Sequence, residues 1–300
     1  MSELIGERGT VLPLPGPLHD RRPARPRNRV RHAVSAVALW IVALIFLLPL
    51  IYTVATSLKP AADVFSSPPT LVGSEIRWQN YADALDYLPF HRFILNGLLV
   101  AVAGTLITLV TASLSSYAFA RLRFRGRNVL FAAFLATLMI PQEVLVVPMF
   151  TLMQEFGWVD SYRALILPWA FTAFGVFLLR QFFMTVPREL GDAAVIDGAG
   201  RFRTFFSVML PLARPSLAVL AVFTFINYWN SFLWPLIITN SIEGKGTVPL
   251  GLSLFFSQQG SQWNLVMAAS VISMVPTVLL LVLLRRHLVS GIATAGLGGR

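Results

Sequence analysis

The chain has 300 residues, 56% of them hydrophobic and 13% charged, with a formal net charge of +10. Soluble domains carry roughly 25% charged residues, so this balance argues against the soluble dehydrogenase and nuclease classes and for a membrane protein. Cysteine is absent, which removes disulfides and thiolate metal sites, and the four histidines (His19, His32, His91 and His287) show no metal-ligand spacing.

In chain order, residues 1–32 interleave Pro13, Pro15, Pro17, Pro23 and Pro26 with arginines, which predicts a disordered tail. A span needs about 20 apolar residues. Residues 33–56 qualify without a single charge, and the run is too long for a signal-peptide core, so an uncleaved anchor is expected. Residues 57–92 form a long loop whose Trp78, Tyr81 and Tyr87 suit an interfacial or docking surface. The second span covers 93–119. A short turn, 120–127, carries Arg121, Arg123, Arg125 and Arg127.

The third span, 128–153, holds Glu143 between Pro141 and Pro148. A lipid-facing carboxylate there costs on the order of 3 kcal/mol or more. Glu143 therefore lines a pathway, is protonated, or makes a hydrogen bond inside the bundle. The fourth span, 164–184, places Arg180 near one end, where it can snorkel into the headgroups. The fifth, 215–239, carries Asn227, Trp229, Asn230 and Trp234. These residues suit either a sugar, through ring stacking and amide hydrogen bonds, or packing between helices. In the loop 240–263, Gly244-Lys245-Gly246-Thr247 lacks P-loop spacing. The sixth span is 264–284, and residues 286–300 form a C-terminal tail. Prolines inside the spans (Pro49, Pro141, Pro148, Pro168, Pro235 and Pro276) predict bent or broken helices.

With the N-terminus in the cytoplasm, nineteen of the twenty-four basic residues fall on the cytoplasmic side. The far side keeps Lys59, Arg77, Arg92, Arg163 and Lys245. The positive-inside rule thus predicts cytoplasmic N- and C-termini, and it accounts for the net charge without nucleic acid.

The segment between the fourth and fifth spans, 186–211, is unusual. Pro187 and Glu189 suit a helix start. A short helix can run to Asp197, Gly198 can supply a turn, and Phe202, Phe205, Phe206 and Met209 then recur at helical spacing. The expectation is a helix–turn–helix outside the bilayer, shaped to receive another protein.

The same residues carry a resemblance. Asp192-Ala193-Ala194, three residues, Gly198, nine residues and Val208-Met209-Leu210-Pro211 resemble the E-A-A-x3-G-x9-I-x-L-P pattern of permease subunits of bacterial ABC importers. Asp stands for Glu at 192 and Val for Ile at 208. The longer stretch through Asp197, Gly198 and Ala199 is similar to the sugar-importer branch and its six-span maltose-type permease. So are Ile140-Pro141, Gly157-Trp158-Val159-Asp160-Ser161 and Trp229-Asn230-Ser231-Phe232-Leu233-Trp234-Pro235-Leu236. The resemblance covers roughly residues 30–290.

It implies an all-α, six-span domain over 33–285, in which 186–211 is the segment that couples to an ATPase. Asp192, Ala193, Ala194, Asp197, Gly198, Ala199, Leu210 and Pro211 are its contact residues. Glu143, Asn227, Trp229, Asn230 and Trp234 are the candidate pathway residues. The implied partners are a second permease, a cytoplasmic ATPase pair that holds ATP and Mg, an external solute-binding protein, membrane lipid, and a sugar or polyol derivative. This chain itself would then bind no cofactor and be no enzyme. The rival is a secondary transporter driven by an ion gradient, for which Glu143 is the sole mid-membrane candidate.

Overall fold

The computed structural model describes residues 29–256 and 262–297. The expected disordered tail lies, up to residue 28, outside the described residues. Among the described residues the chain is all α-helical, as expected.

The chain divides into two units at Pro49 and Leu50. In the first, the described residues belong to α1 (Arg29–Ser57), and the apolar side chains from Val34 to Leu48 are exposed all round. A helix apolar on every side is a membrane helix.

The second unit holds the rest. The helix α2 (Gln79–Tyr87) precedes α3 (Phe90–Arg121), which is uncharged from Phe93 to Ala120 and roughly 48 Å long. Two pieces follow at an angle: α4 (Arg127–Ala136), continued by a 3-10 turn to Met139, and α5 (Gln142–Glu155). Next come α6 (Tyr162–Ile166), a 3-10 turn to Trp169, and α7 (Ala173–Thr185). The stretch after α7 contains α8 (Arg188–Ile196) and α9 (Arg201–Thr204). A π-turn over Phe205–Met209 and α10 (Leu210–Leu212) complete it. The chain continues through α11 (Arg214–Trp229), α12 (Leu233–Ile238), α13 (Ile242–Lys245) and α14 (Val248–Leu254) to α15 (Trp263–Leu297).

Among the described residues three helices are long and apolar enough to cross a bilayer: Ala33–Ser57, Phe90–Arg121 and Trp263–His287. Three bent pairs raise this to six if each pair is one span. They are Arg127–Met139 with Gln142–Glu155 (103°), Tyr162–Trp169 with Ala173–Thr185 (45°), and Arg201–Leu212 with Arg214–Trp229 (77°). The fifth span departs from the expected 215–239: its helix stops at Trp229 and resumes only at Leu233. The sixth helix runs on through residues 286–297.

The long helix α3 is central and packs against α7 and α11, while α11 also packs against α15. Small residues on α3 permit this. A Cβ on Gly104 would sit 2.5 Å from the Tyr228 ring, so only glycine lets α11 approach so closely.

Prolines free backbone carbonyls, and aromatic donors take them up. Pro168 lacks the N–H that would bond the Ala164 carbonyl; Trp234 Nε1 donates to that oxygen instead, at 2.8 Å. Ala170 N–H bonds Leu167, and the Ile166 carbonyl accepts from Tyr228 Oη at 2.8 Å. Trp229 Nε1 donates to the Ser273 carbonyl at 3.0 Å, in the turn before Pro276, which lies inside the continuous α15.

The loops are tied by buried polar groups. Asn80 Nδ2 donates to the carbonyls of Ser57 and Lys59, both at 2.8 Å, and its Oδ1 accepts from Asn264. Lys59 is itself buried, with Nζ donating to the Thr70 carbonyl. Asp160, at a left-handed φ of 57°, accepts from Ser241 Oγ and pairs with Lys245 Nζ at 3.0 Å. Partial desolvation pushes the Asp160 carboxyl up, yet these hydrogen bonds and the Lys245 charge win and hold it below its ordinary value. The lysine of the rejected P-loop-like stretch is thus a loop anchor. Trp78 is exposed, whereas Tyr81 shares a hydrogen bond with Ser57 Oγ at 2.8 Å.

Candidate functional site

Three interruptions in helices of the second unit converge on one cavity of about 570 Å³. The first is the break before Pro141, which supplies Gln142 and Glu143. The second follows Pro168, with Trp169 and Thr172 on the wall. The third is the non-helical stretch after Trp229, where Ser231 and Phe232 face the cavity. Irregular backbone at membrane depth persists where it is buried in protein or lines a water-filled cavity.

Glu143 sits in the first turn of α5 rather than mid-helix, because Pro141 ends the preceding piece. Its carboxylate lies at the positive end of the α5 dipole. Asn227 and Trp234 also line the cavity, beside Thr224 on α11. Trp169 and Trp234 stand edge to face, with centroids 5.6 Å apart. Among the described residues the lining contains one carboxylate and no Arg, Lys or His. Its hydroxyl and amide groups can exchange hydrogen bonds with a polyhydroxylated solute, and its aromatic faces can stack on a ring.

Two of the five pathway candidates are elsewhere. Trp229 is buried among α3, α11 and α15 and spends its N–H on Ser273. Asn230 is exposed at the end of α11 and is not part of the lining. Helical rotation explains the first, since Asn227 and Trp229 are two residues apart, about 200° around the axis; Asn230 lies past the last helical residue. Sequence reasoning did not single out Gln142, Thr224, Ser231 or Trp169 for the cavity. Adjacency to Pro141 and Pro168 is the signal that marks Gln142 and Trp169.

Arg180 also departs from expectation. Its guanidinium lies 4.0 Å from the centre of the Phe131 ring and its Nε reaches the Phe119 carbonyl at 3.4 Å, so it packs between helices.

The segment 186–211 forms a second candidate surface. Pro187 caps α8, Glu189 occupies its first turn, and no α8 residue is buried. The turn is made at Gly198, φ +79°, with Ala199 N–H returning to the Ala194 carbonyl at 2.8 Å. This pairing closes a helix C-terminus that only a left-handed residue completes. Asp192, Ala193 and Ala194 lie on α8, and Asp197 and Ala199 flank the turn. Leu210 and Pro211 start α10. The expected apolar stripe is split. Phe205 and Met209 are buried, while Phe202 and Phe206 are exposed, with the π-turn in their midst. Val195, Ile196 and Phe202 are 62%, 85% and 75% exposed beside Arg201, Arg203 and Asp197. Among the described residues, no group of His, Asp or Glu is placed to hold a metal ion.

Known proteins share this architecture. The model of a family described as binding-protein-dependent transport system inner membrane component matches residues 104–294. The sn-glycerol-3-phosphate transport system permease protein UgpE of Yersinia pestis is 38% identical over 264 residues, spanning 85% of this chain and 94% of that protein. The arabinooligosaccharides transport system permease protein AraQ of Halalkalibacterium halodurans is 33% identical over 280 residues, spanning 90% and 100%. In a crystal structure of a bacterial ABC transporter involved in the import of the acidic polysaccharide alginate, one chain superposes with a TM-score of 0.77 at 24% identity. The match covers 87% of this chain and 97% of that one. At that identity the likeness is one of fold.

Proposed function

This chain belongs to the family of binding-protein-dependent transport system inner membrane components, and from that membership we propose that it forms half of the translocation pathway of an ATP-driven carbohydrate importer. It is a multi-pass inner-membrane permease subunit and not an enzyme.

The observation that carries the pathway reading is the convergence of three broken helices on the cavity holding Glu143, Asn227 and Trp234. Breaks of this kind let short helix pieces tilt without exposing backbone to lipid, which alternating access requires. A second permease would supply the other half, and an external solute-binding protein would deliver the sugar. The exposed apolar tip around Val195, Ile196 and Phe202 would seat on a cytoplasmic ATPase. The residues Asp192, Ala193, Ala194, Asp197, Gly198, Ala199, Leu210 and Pro211 would hold that tip in shape. ATP and Mg would be bound by the ATPase. A lining with one carboxylate and no cation suits an uncharged saccharide better than a phosphorylated one.

The test is uptake by proteoliposomes containing the purified assembly. Accumulation of a neutral oligosaccharide should require ATP and be blocked by vanadate. Uptake that persists without ATP and collapses with the proton or sodium gradient would replace this reading with a secondary transporter.

A further inference from the structure

The turn between α3 and α4 gathers arginines beyond what the fold uses. Arg123, Arg127 and Arg188 line an open pocket of about 460 Å³ together with Phe124, Gly126 and Asn128. Two more arginines nearby in sequence or in charge range are already engaged. Arg121 donates to the carbonyls of Phe183 and Val186, and Arg180 covers Phe131. Arg188 is near enough to Arg121, and Arg127 to Arg180, for the like charges to act on each other.

The pocket arginines have no comparable partners. Arg127 reaches only the Leu122 carbonyl, at 3.1 Å, and the adjacent Asn128 side chain. Arg123 and Arg188 make no side-chain hydrogen bond or ion pair among the described residues. Glu189 and Asp192 act on Arg121 through space but form no ion pair with any of the five. These guanidiniums are left to water or to an anion from outside the chain.

The surroundings decide its form. The turn joins the ends of two apolar helices, and polar turns between spans belong at the headgroup level. Next to it, Val129 and Leu130 on α4 are exposed, as is Phe124. A soluble anion would use the arginines and leave that apolar strip bare. A phospholipid uses both, with its phosphate on the guanidinium forks and its acyl chains along α4. We propose that this pocket is a binding site for the phosphate of an anionic phospholipid. A headgroup there links the start of α4 to Arg188, the first residue of α8, and so ties the exposed 186–211 segment to the membrane surface.

Native mass spectrometry of the purified assembly tests this, with phosphatidylglycerol and phosphatidylcholine as probes and inorganic phosphate as competitor. The assembly should retain phosphatidylglycerol at least tenfold over phosphatidylcholine. The pair Arg123→Gln and Arg127→Gln should lower that retention about tenfold, whereas Arg285→Gln with Arg286→Gln, at exposed positions on α15, should leave it unchanged. The pair Arg123→Lys and Arg127→Lys keeps the charge without the fork and should fall between; it also decides the matter if the Gln pair fails to assemble. Equal retention of the two lipids, unchanged retention in the Gln pair, or equal loss from the α15 pair would overturn the proposal. Displacement of the lipid by millimolar inorganic phosphate would make this a site for a soluble anion instead.

Discussion

Glu143 and Trp234 meet in the same cavity but are held there for different reasons. Glu143 stands at the head of α5 with nothing in its lining to neutralise it except the helix end. If it serves as a polar wall for a neutral sugar, Glu143→Gln keeps size and hydrogen bonding, and vesicle uptake should stay within a few-fold of wild type. Abolished uptake at normal membrane abundance would give the carboxylate a proton-coupling role. Trp234 is tied to the fold by its bond to Ala164, across seventy residues of sequence. Trp234→Phe leaves that carbonyl buried without a donor, a cost of about 1–3 kcal/mol. Thermal unfolding of the purified assembly should therefore shift several degrees downward, and an unchanged midpoint would show that the indole bond contributes nothing to stability.

The elements of interest are the ones that stop. The turn between α8 and α9 depends on Gly198 in a left-handed conformation, and an added Cβ would meet nothing within 4 Å. The cost of a substitution within this chain is therefore backbone strain alone, roughly 1–2 kcal/mol for an L-residue. Gly198→Val should keep the permease inserted yet reduce both ATPase co-purification and uptake. Gly198→Asn, which tolerates the same conformation, should retain most of both. If Val is as well tolerated as glycine, the turn has no part in coupling. If Asn fails as badly as Val, the space beside Gly198 is occupied by the partner and not only by strain. The π-turn at Phe205–Met209 has a comparable effect on the stripe, since an i→i+5 turn shifts the face that follows it. That is why Phe202 and Phe206 point away from the interior that receives Phe205 and Met209.

At the scale of the whole molecule, the charge asymmetry makes a prediction about sidedness. Alkaline phosphatase fused after residue 75 or 250 should be active, and fused after residue 125 or 200 silent. Activity at residue 200 would put the 186–211 segment on the wrong side for any ATPase. Much was legible without coordinates. Apolar runs of membrane length, the uneven arginines and the glycine-centred spacing at Asp192 to Pro211 are properties of neighbouring residues, and neighbours are what a sequence records. The all-α class and the family followed from them. The cavity did not, because a hydropathy window sums apolar character and carries no direction. It merged α11 and α12 into one span, although the chain leaves the helix at Asn230. It also grouped Trp229 with Trp234, although one indole is sealed against α15 and the other borders the cavity. Pro141 and Pro168 signalled their breaks by themselves, since the missing N–H is a local fact, whereas Pro49, Pro148 and Pro276 lie inside continuous helices. Which donor repairs the break, and whether several breaks face one space, depends on helices packed from distant parts of the chain. Only the tertiary structure sets that.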